Sequence, residues 1–226
     1  MSDQIKHPSY ASKGDLTKGD IQKHLIRLSL PMTWGIFAII SFQLVDMYYI
    51  SRLGTQELAA ISFTFPVTYT VFSLILGFGI AMSSVLSRQI GEGNQEKVRR
   101  IATHGLVFSF LFGVVLAISG MFLSAPIFRM MGAGDAMMPL IMDYIWIWFA
   151  GSVFINMPMV GNAAIRATGD TKVPALIMTV VAVVNIMLDP ILIFGLFGFP
   201  RMEMQGAALA SVIANACAMF AGLYIL

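Results

Sequence analysis

Three acids stand inside otherwise uncharged stretches of this 226-residue chain: Asp46, Asp143 and Asp189. Asp189 lies in "VVNIMLDPILIFG" (183–195), with no Lys or Arg within ten residues on either side. Asn185 precedes it by four residues, so the two share one helix face. Pro190 follows and cannot donate a backbone hydrogen bond, which leaves the Ile186 carbonyl free one turn back and predicts a kink. An acid, an amide and a free carbonyl on one kinked face suit a proton or a small cation such as Na+. Burial disfavours the charged form of a carboxylate, which fits a switch that takes up and releases a proton. The competing reading makes Asp189 a structural acid, hydrogen-bonded across a helix bundle.

The elements that must position these acids follow from composition. Hydrophobic residues make up 58% of the chain and charged residues 12%, against roughly 25% charged in soluble domains. The apolar residues gather in runs of membrane-spanning length, about 18 residues or more. Lipid offers no partner to backbone polar groups, so such runs are helical. Six spans are expected, at about 28–50, 59–85, 101–124, 138–161, 173–197 and 206–226. Gly-rich and charged linkers separate them. The predicted class is an all-α, polytopic membrane protein, a six-transmembrane-helix bundle. Residues 1–27 read as a polar tail and 28–226 as the bundle.

Basic residues set the orientation. Eleven of the 14 Lys and Arg fall on one side, including Lys6, Lys23, Arg88, Arg100, Arg166 and Lys172. Arg52, Arg129 and Arg201 fall on the other. By the positive-inside rule the N-terminus is cytoplasmic. The first 23 residues lack the apolar core of a signal peptide. The expected location is the plasma membrane (the inner membrane of a cell with two).

At about 1.5 Å per residue all three acids fall in the outer half of the membrane. A carboxylate at the centre of a span costs about 2.5–3.5 kcal/mol on insertion scales, so it faces a cavity or a partner. Asp46 and Asp189 are therefore the candidate site, with structural roles as the alternative. Asp143, beside Tyr144, Trp146 and Trp148, reads as a solvated acid at an aromatic belt. The 17 Met residues are read as span filler, and Gly91 and Gly93 as a helix end and turn.

Other chemistries lack their residues. No GxxxxGK[ST] nucleotide loop occurs. No DDxxD run is present to hold Mg2+ for prenyl-transfer chemistry. The lone Cys217 provides neither a disulfide framework nor a Cys metal cluster. The chain is expected not to be an enzyme, to hold no cofactor and no metal beyond Na+, and to bind no nucleic acid.

Four stretches, in order and across nearly the whole chain, resemble the amino-terminal half of a multidrug and toxic compound extrusion (MATE) transporter. They are "LSLPMTWGIFAIISFQLVDMYYISRLGTQELAAIS" (28–62), "GFGIAMSSVLSRQIGEGN" (77–94), "AAIRATGDTKVP" (163–174), and "NIMLDP" (185–190) joined to "GAALAS" (206–211). The resemblance implies one lobe of a twelve-helix antiporter whose two six-helix lobes are related by an axis along the membrane normal. It implies export of cationic or amphipathic molecules in exchange for H+ or Na+. Residue by residue, Asp46 matches the family's first-helix acid, and Asn185 and Asp189 match its fifth-helix pair. Tyr144 resembles a fourth-helix tyrosine at the same cavity. Ser211 stands where many members have Thr, and Gln43 where some have Asn.

The sixth span runs inward without a basic flank, so the chain is expected to stop short of a second lobe. That lobe would lie on the same or another chain. The partners expected are a small-molecule drug or metabolite, the lipid bilayer and the second lobe. The alternatives are a lipid-linked oligosaccharide flippase of the same superfamily and a non-transporting half-transporter fragment. Against the flippase, no Lys lies in any span to meet a pyrophosphate.

Overall fold

The computed structural model describes residues 20–225. Seven α-helices follow one another: α1 Ile21–Ser51, α2 Thr55–Gly91, α3 Gln95–Met130, α4 Met138–Ala150, α5 Ser152–Ala167, α6 Lys172–Phe194 and α7 Glu203–Ile225. A 3-10 turn, Leu196–Gly198, lies between α6 and α7, and no strand occurs among the described residues. Five helices are each long and apolar enough to cross a membrane; α4 and α5 pass that test as a pair bent by 51°.

Local chemistry sets several helix ends. Asp20 Oδ1 accepts the Gln22 N–H at 3.0 Å and starts α1. Asn94 Oδ1 accepts the Lys97 N–H at 3.0 Å and starts α3. Asp170 Oδ1 accepts from Lys172 and Val173 at 2.9 and 3.2 Å and starts α6. Each satisfies first-turn donors that lack an intrahelical partner.

Two expectations need correction. The first helix begins at Ile21, upstream of the expected 28, because the Asp20 cap lies that far back. Residues 21–27, read as tail, are therefore helical, while 1–19 lie outside the described residues. The fourth span is not one helix over 138–161; it breaks at Gly151 and continues to Ala167. A Cβ at Gly151 would run into Val212 of α7, so a glycine is what lets α7 come this close. Ser152 then ties the break to α3, its hydroxyl donating to the Gly113 carbonyl at 2.8 Å. The fifth span, expected over 173–197, is the single helix α6, which carries Pro190 inside it. Neighbouring helices can hold a helical path where proline removes one hydrogen bond.

The core lies between α2, α4 and the start of α7, with Ile50, Ile75, Phe128, Ile145 and Met204 fully enclosed. α5 packs against α2, α3 and α7, and α1 packs chiefly along α6. Only 6% of the apolar window of α1 is buried. Leu30 and Phe37 are left facing outward, as apolar side chains do toward lipid.

Candidate ion and substrate site

Where α6 and α7 cross, a Cβ on Gly206 would sit 2.6 Å from the Leu192 carbonyl, so only glycine fits. Two turns back along α6 from Leu192 is Asn185; just over one turn along α7 from Gly206 is Ser211. The crossing thus sets the antiparallel register that brings these two side chains together.

Asp189 is fully buried and Asn185 nearly so, at 0% and 1% exposure. The Asn185 amide is oriented by its partners. With its nitrogen toward Asp189, Nδ2 donates to Asp189 Oδ2 at 3.0 Å, and Oδ1 accepts from the Ser211 hydroxyl at 3.1 Å and the Ser211 backbone N–H at 3.2 Å. The opposite orientation keeps one bond, Nδ2 to Ser211 Oγ at 3.1 Å. It would also point the amide oxygen at a carboxylate. The first orientation satisfies both ends of the amide.

Across from α6, Asp46 of α1 lies within electrostatic reach of Asp189, and Tyr144 of α4 within reach of both. Asp46 Oδ1 and Asp189 Oδ1 are buried without a hydrogen-bond partner. Two carboxylates within electrostatic reach repel each other when both are charged.

Asp46 also lines a cavity of about 300 Å³, at the small end of the range of ligand sites. Its walls come from five helices: Gln43, Asp46 and Met47 of α1; Thr64, Phe65, Thr68, Tyr69 and Phe72 of α2; Tyr144 and Trp148 of α4; Ile155 of α5; Ser211 and Asn215 of α7. The Phe72 and Trp148 rings lie 6.1 Å apart and tilted, and Phe65 and Tyr69 6.0 Å apart edge to face. No Lys or Arg is among the lining residues.

Of the residues singled out in the sequence, Gln43, Asp46, Tyr144 and Ser211 line this cavity. Asn185 and Asp189 do not; they stand behind Ser211 in the α6–α7 seam. Asp143 is exposed and accepts the Gln205 side-chain N–H at 2.8 Å, as a solvated edge acid does. Sequence reasoning missed Thr64, Thr68 and Asn215. For the two threonines the signal was present in "TFPVTYTVF", where Thr64 and Thr68 stand one turn apart on α2 among aromatic residues.

The MatE family profile matches residues 31–191. A FAD transporter of Shewanella oneidensis is 42% identical over 211 residues, covering 93% of this chain and 47% of that protein. A probable multidrug resistance protein of Bacillus subtilis is 35% identical over 174 residues, covering 76% and 38%. A crystal structure of MATE in its bent conformation superposes with a TM-score of 0.84 at 33% identity, over 92% of this chain and 46% of that one. The chain therefore spans about half the length of the relatives it matches. With the fold, the half-length match and the motif order in agreement, the chain belongs to the MatE family of multidrug and toxic compound extrusion transporters.

Proposed function

We propose that this chain is the ion-coupling, amino-terminal half of a secondary antiporter, exporting cationic or amphipathic small molecules in exchange for H+ or Na+. One observation carries the reading. Asp46 and Asp189, each with an unpartnered carboxylate oxygen, lie within electrostatic reach of each other where an aromatic cavity meets the α6–α7 seam. Asp46 faces the solute and Asp189 stands behind, so ion occupancy on one side of Ser211 can act on substrate on the other.

The cycle follows from charge. A proton or Na+ arriving from outside neutralises the pair and removes the attraction that holds a cationic solute at Asp46. When the pair faces the cytoplasm and loses that ion, the site is charged again and takes up the next solute. A ligand shifts such an equilibrium only by its differential affinity for the two states, so ion and solute must compete for the same carboxylates. A cation would find oxygen ligands in Asp46, Asp189, Ser211 and the amide of Asn185 turned the other way. No covalent bond is made or broken. The proposed setting is the plasma membrane with a cytoplasmic N-terminus, and a second six-helix lobe closes the cavity.

A second reading rests on the similarity to the FAD transporter of Shewanella oneidensis. Aromatic walls would stack against a flat isoalloxazine ring. Its diphosphate would have to be met outside this cavity, which has no Lys or Arg lining.

Calorimetry of tetraphenylphosphonium binding to the detergent-solubilised chain tests the first reading, in two buffers of different ionisation enthalpy, with and without Na+. Proton or Na+ release on binding is expected in the parent and not in Asp189→Asn. Binding of FAD with no response to the cation would favour the second reading.

A further inference from the structure

The hydroxyls on the α2 wall of the cavity are already committed as donors. Thr64 Oγ1 donates to the Ile61 carbonyl at 2.7 Å, and Thr68 Oγ1 to the Thr64 carbonyl at 3.1 Å. Such back-bonding is the ordinary way a threonine hydroxyl is satisfied in a membrane helix. What each threonine then offers the cavity is its oxygen lone pairs. On α7, Asn215 Nδ2 donates one N–H to the Ser211 carbonyl at 2.9 Å, and its amide oxygen is the acceptor it adds beside its second N–H. All three residues line the cavity together with Asp46.

We propose that Thr64, Thr68 and Asn215 form an acceptor wall that selects solutes by the N–H groups they carry next to their positive charge. This deepens the reading of the cavity as the substrate site and rests on it. Asp46 supplies the long-range preference for a cation. The wall adds a shorter-range one: an ammonium, amidine or aromatic amine places N–H donors against these oxygens, while a quaternary cation cannot. Neutral donors also line the cavity, on Gln43, Tyr69, Tyr144 and Trp148, and they can serve polar uncharged parts of the solute. A phosphate would meet the threonine and amide lone pairs and the Asp46 carboxylate with no positive partner, so anionic ends are rejected here.

Two permanent cations separate charge from donor count. Ethidium carries aromatic amino groups; tetraphenylphosphonium has the charge and no N–H. Binding of each to the solubilised chain would be measured by calorimetry for the parent, Thr64→Val, Thr68→Val and Thr68→Ser. Valine keeps the branched shape and loses the oxygen. Serine keeps the oxygen and controls for packing. The expected result is that each valine variant weakens ethidium about tenfold, the scale of one hydrogen bond to a charged group. Tetraphenylphosphonium should change by less than about twofold, and Thr68→Ser should bind ethidium as the parent does. Equal losses for both cations, or no loss for either, overturn the acceptor wall alone and leave the substrate cavity standing. Displacement of ethidium by FAD also overturns it. If a folded parent binds neither cation, the substrate reading fails and the wall falls with it.

Discussion

Asn185 donates to Asp189 Oδ2 at 3.0 Å while its own Oδ1 takes the Ser211 hydroxyl at 3.1 Å, so a single amide ties a buried α6 carboxylate to α7. That amide separates an acid outside the cavity from a hydroxyl that lines it. Asn185→Leu removes the donor and leaves the carboxylate without it. The expected cost is about 1–3 kcal/mol, the range for an unsatisfied buried polar group. Thermal unfolding in detergent would show it as a lower Tm. The companion double variant, Asn185→Leu with Asp189→Leu, should lose less than the two single costs together. Additive losses would mean the two side chains do not act on each other.

Asp46 and Asp189 stand within electrostatic reach, so they should exchange ions as one unit. Asp46→Asn is expected to abolish ion release on solute binding as fully as Asp189→Asn. The double variant should lose nothing more. The readout is calorimetry in two buffers, as for the parent. Two partial losses that add would show independent sites.

Asn156 on α5 is 1% exposed, and neither side-chain polar atom has a hydrogen-bond partner. An amide left in that condition costs free energy that a leucine of similar volume would not. Asn156→Leu should therefore leave Tm unchanged or raise it. Ser152→Ala, one turn earlier, should lower stability by about 1 kcal/mol, since it removes the hydrogen bond to the Gly113 carbonyl. A marked fall in Tm for Asn156→Leu would contradict the arrangement at the α3–α5 interface.

The α6–α7 crossing has room for no side chain at Gly206. Gly206→Val is expected to force the helices apart and cost about 1–3 kcal/mol, as overpacked cores do. Because the crossing sets the register of Asn185 and Ser211, the variant should also weaken solute binding. A stable variant with parental affinity would show that the register is set elsewhere.

Much of this was legible before any coordinates. Runs of uncharged residues fix the spans, since lipid leaves the backbone only helical hydrogen bonds. Asp46 and Asp189 were legible as site candidates because a carboxylate in such a run is costly without a purpose. Their four-residue partner Asn185 was legible from helix periodicity alone. The break at Gly151 was not legible: it depends on how closely Val212 approaches from another helix, and "WFAGSVF" reads as an ordinary span.

The division at the site has the same cause. Sequence spacing places residues on one face of one helix, and so it paired Asn185 with Asp189. It does not say which helices meet. Packing decided that Ser211 reaches Asn185, that Asp46 approaches Asp189, and that Thr64, Thr68 and Asn215 join Asp46 around one cavity. By itself the sequence determined the helices, their order and the acids within them, because those follow from local hydropathy. Only the tertiary structure decided which acid lines the cavity and which stands behind it, because that depends on how α1, α6 and α7 pack, with a glycine-wide crossing between α6 and α7.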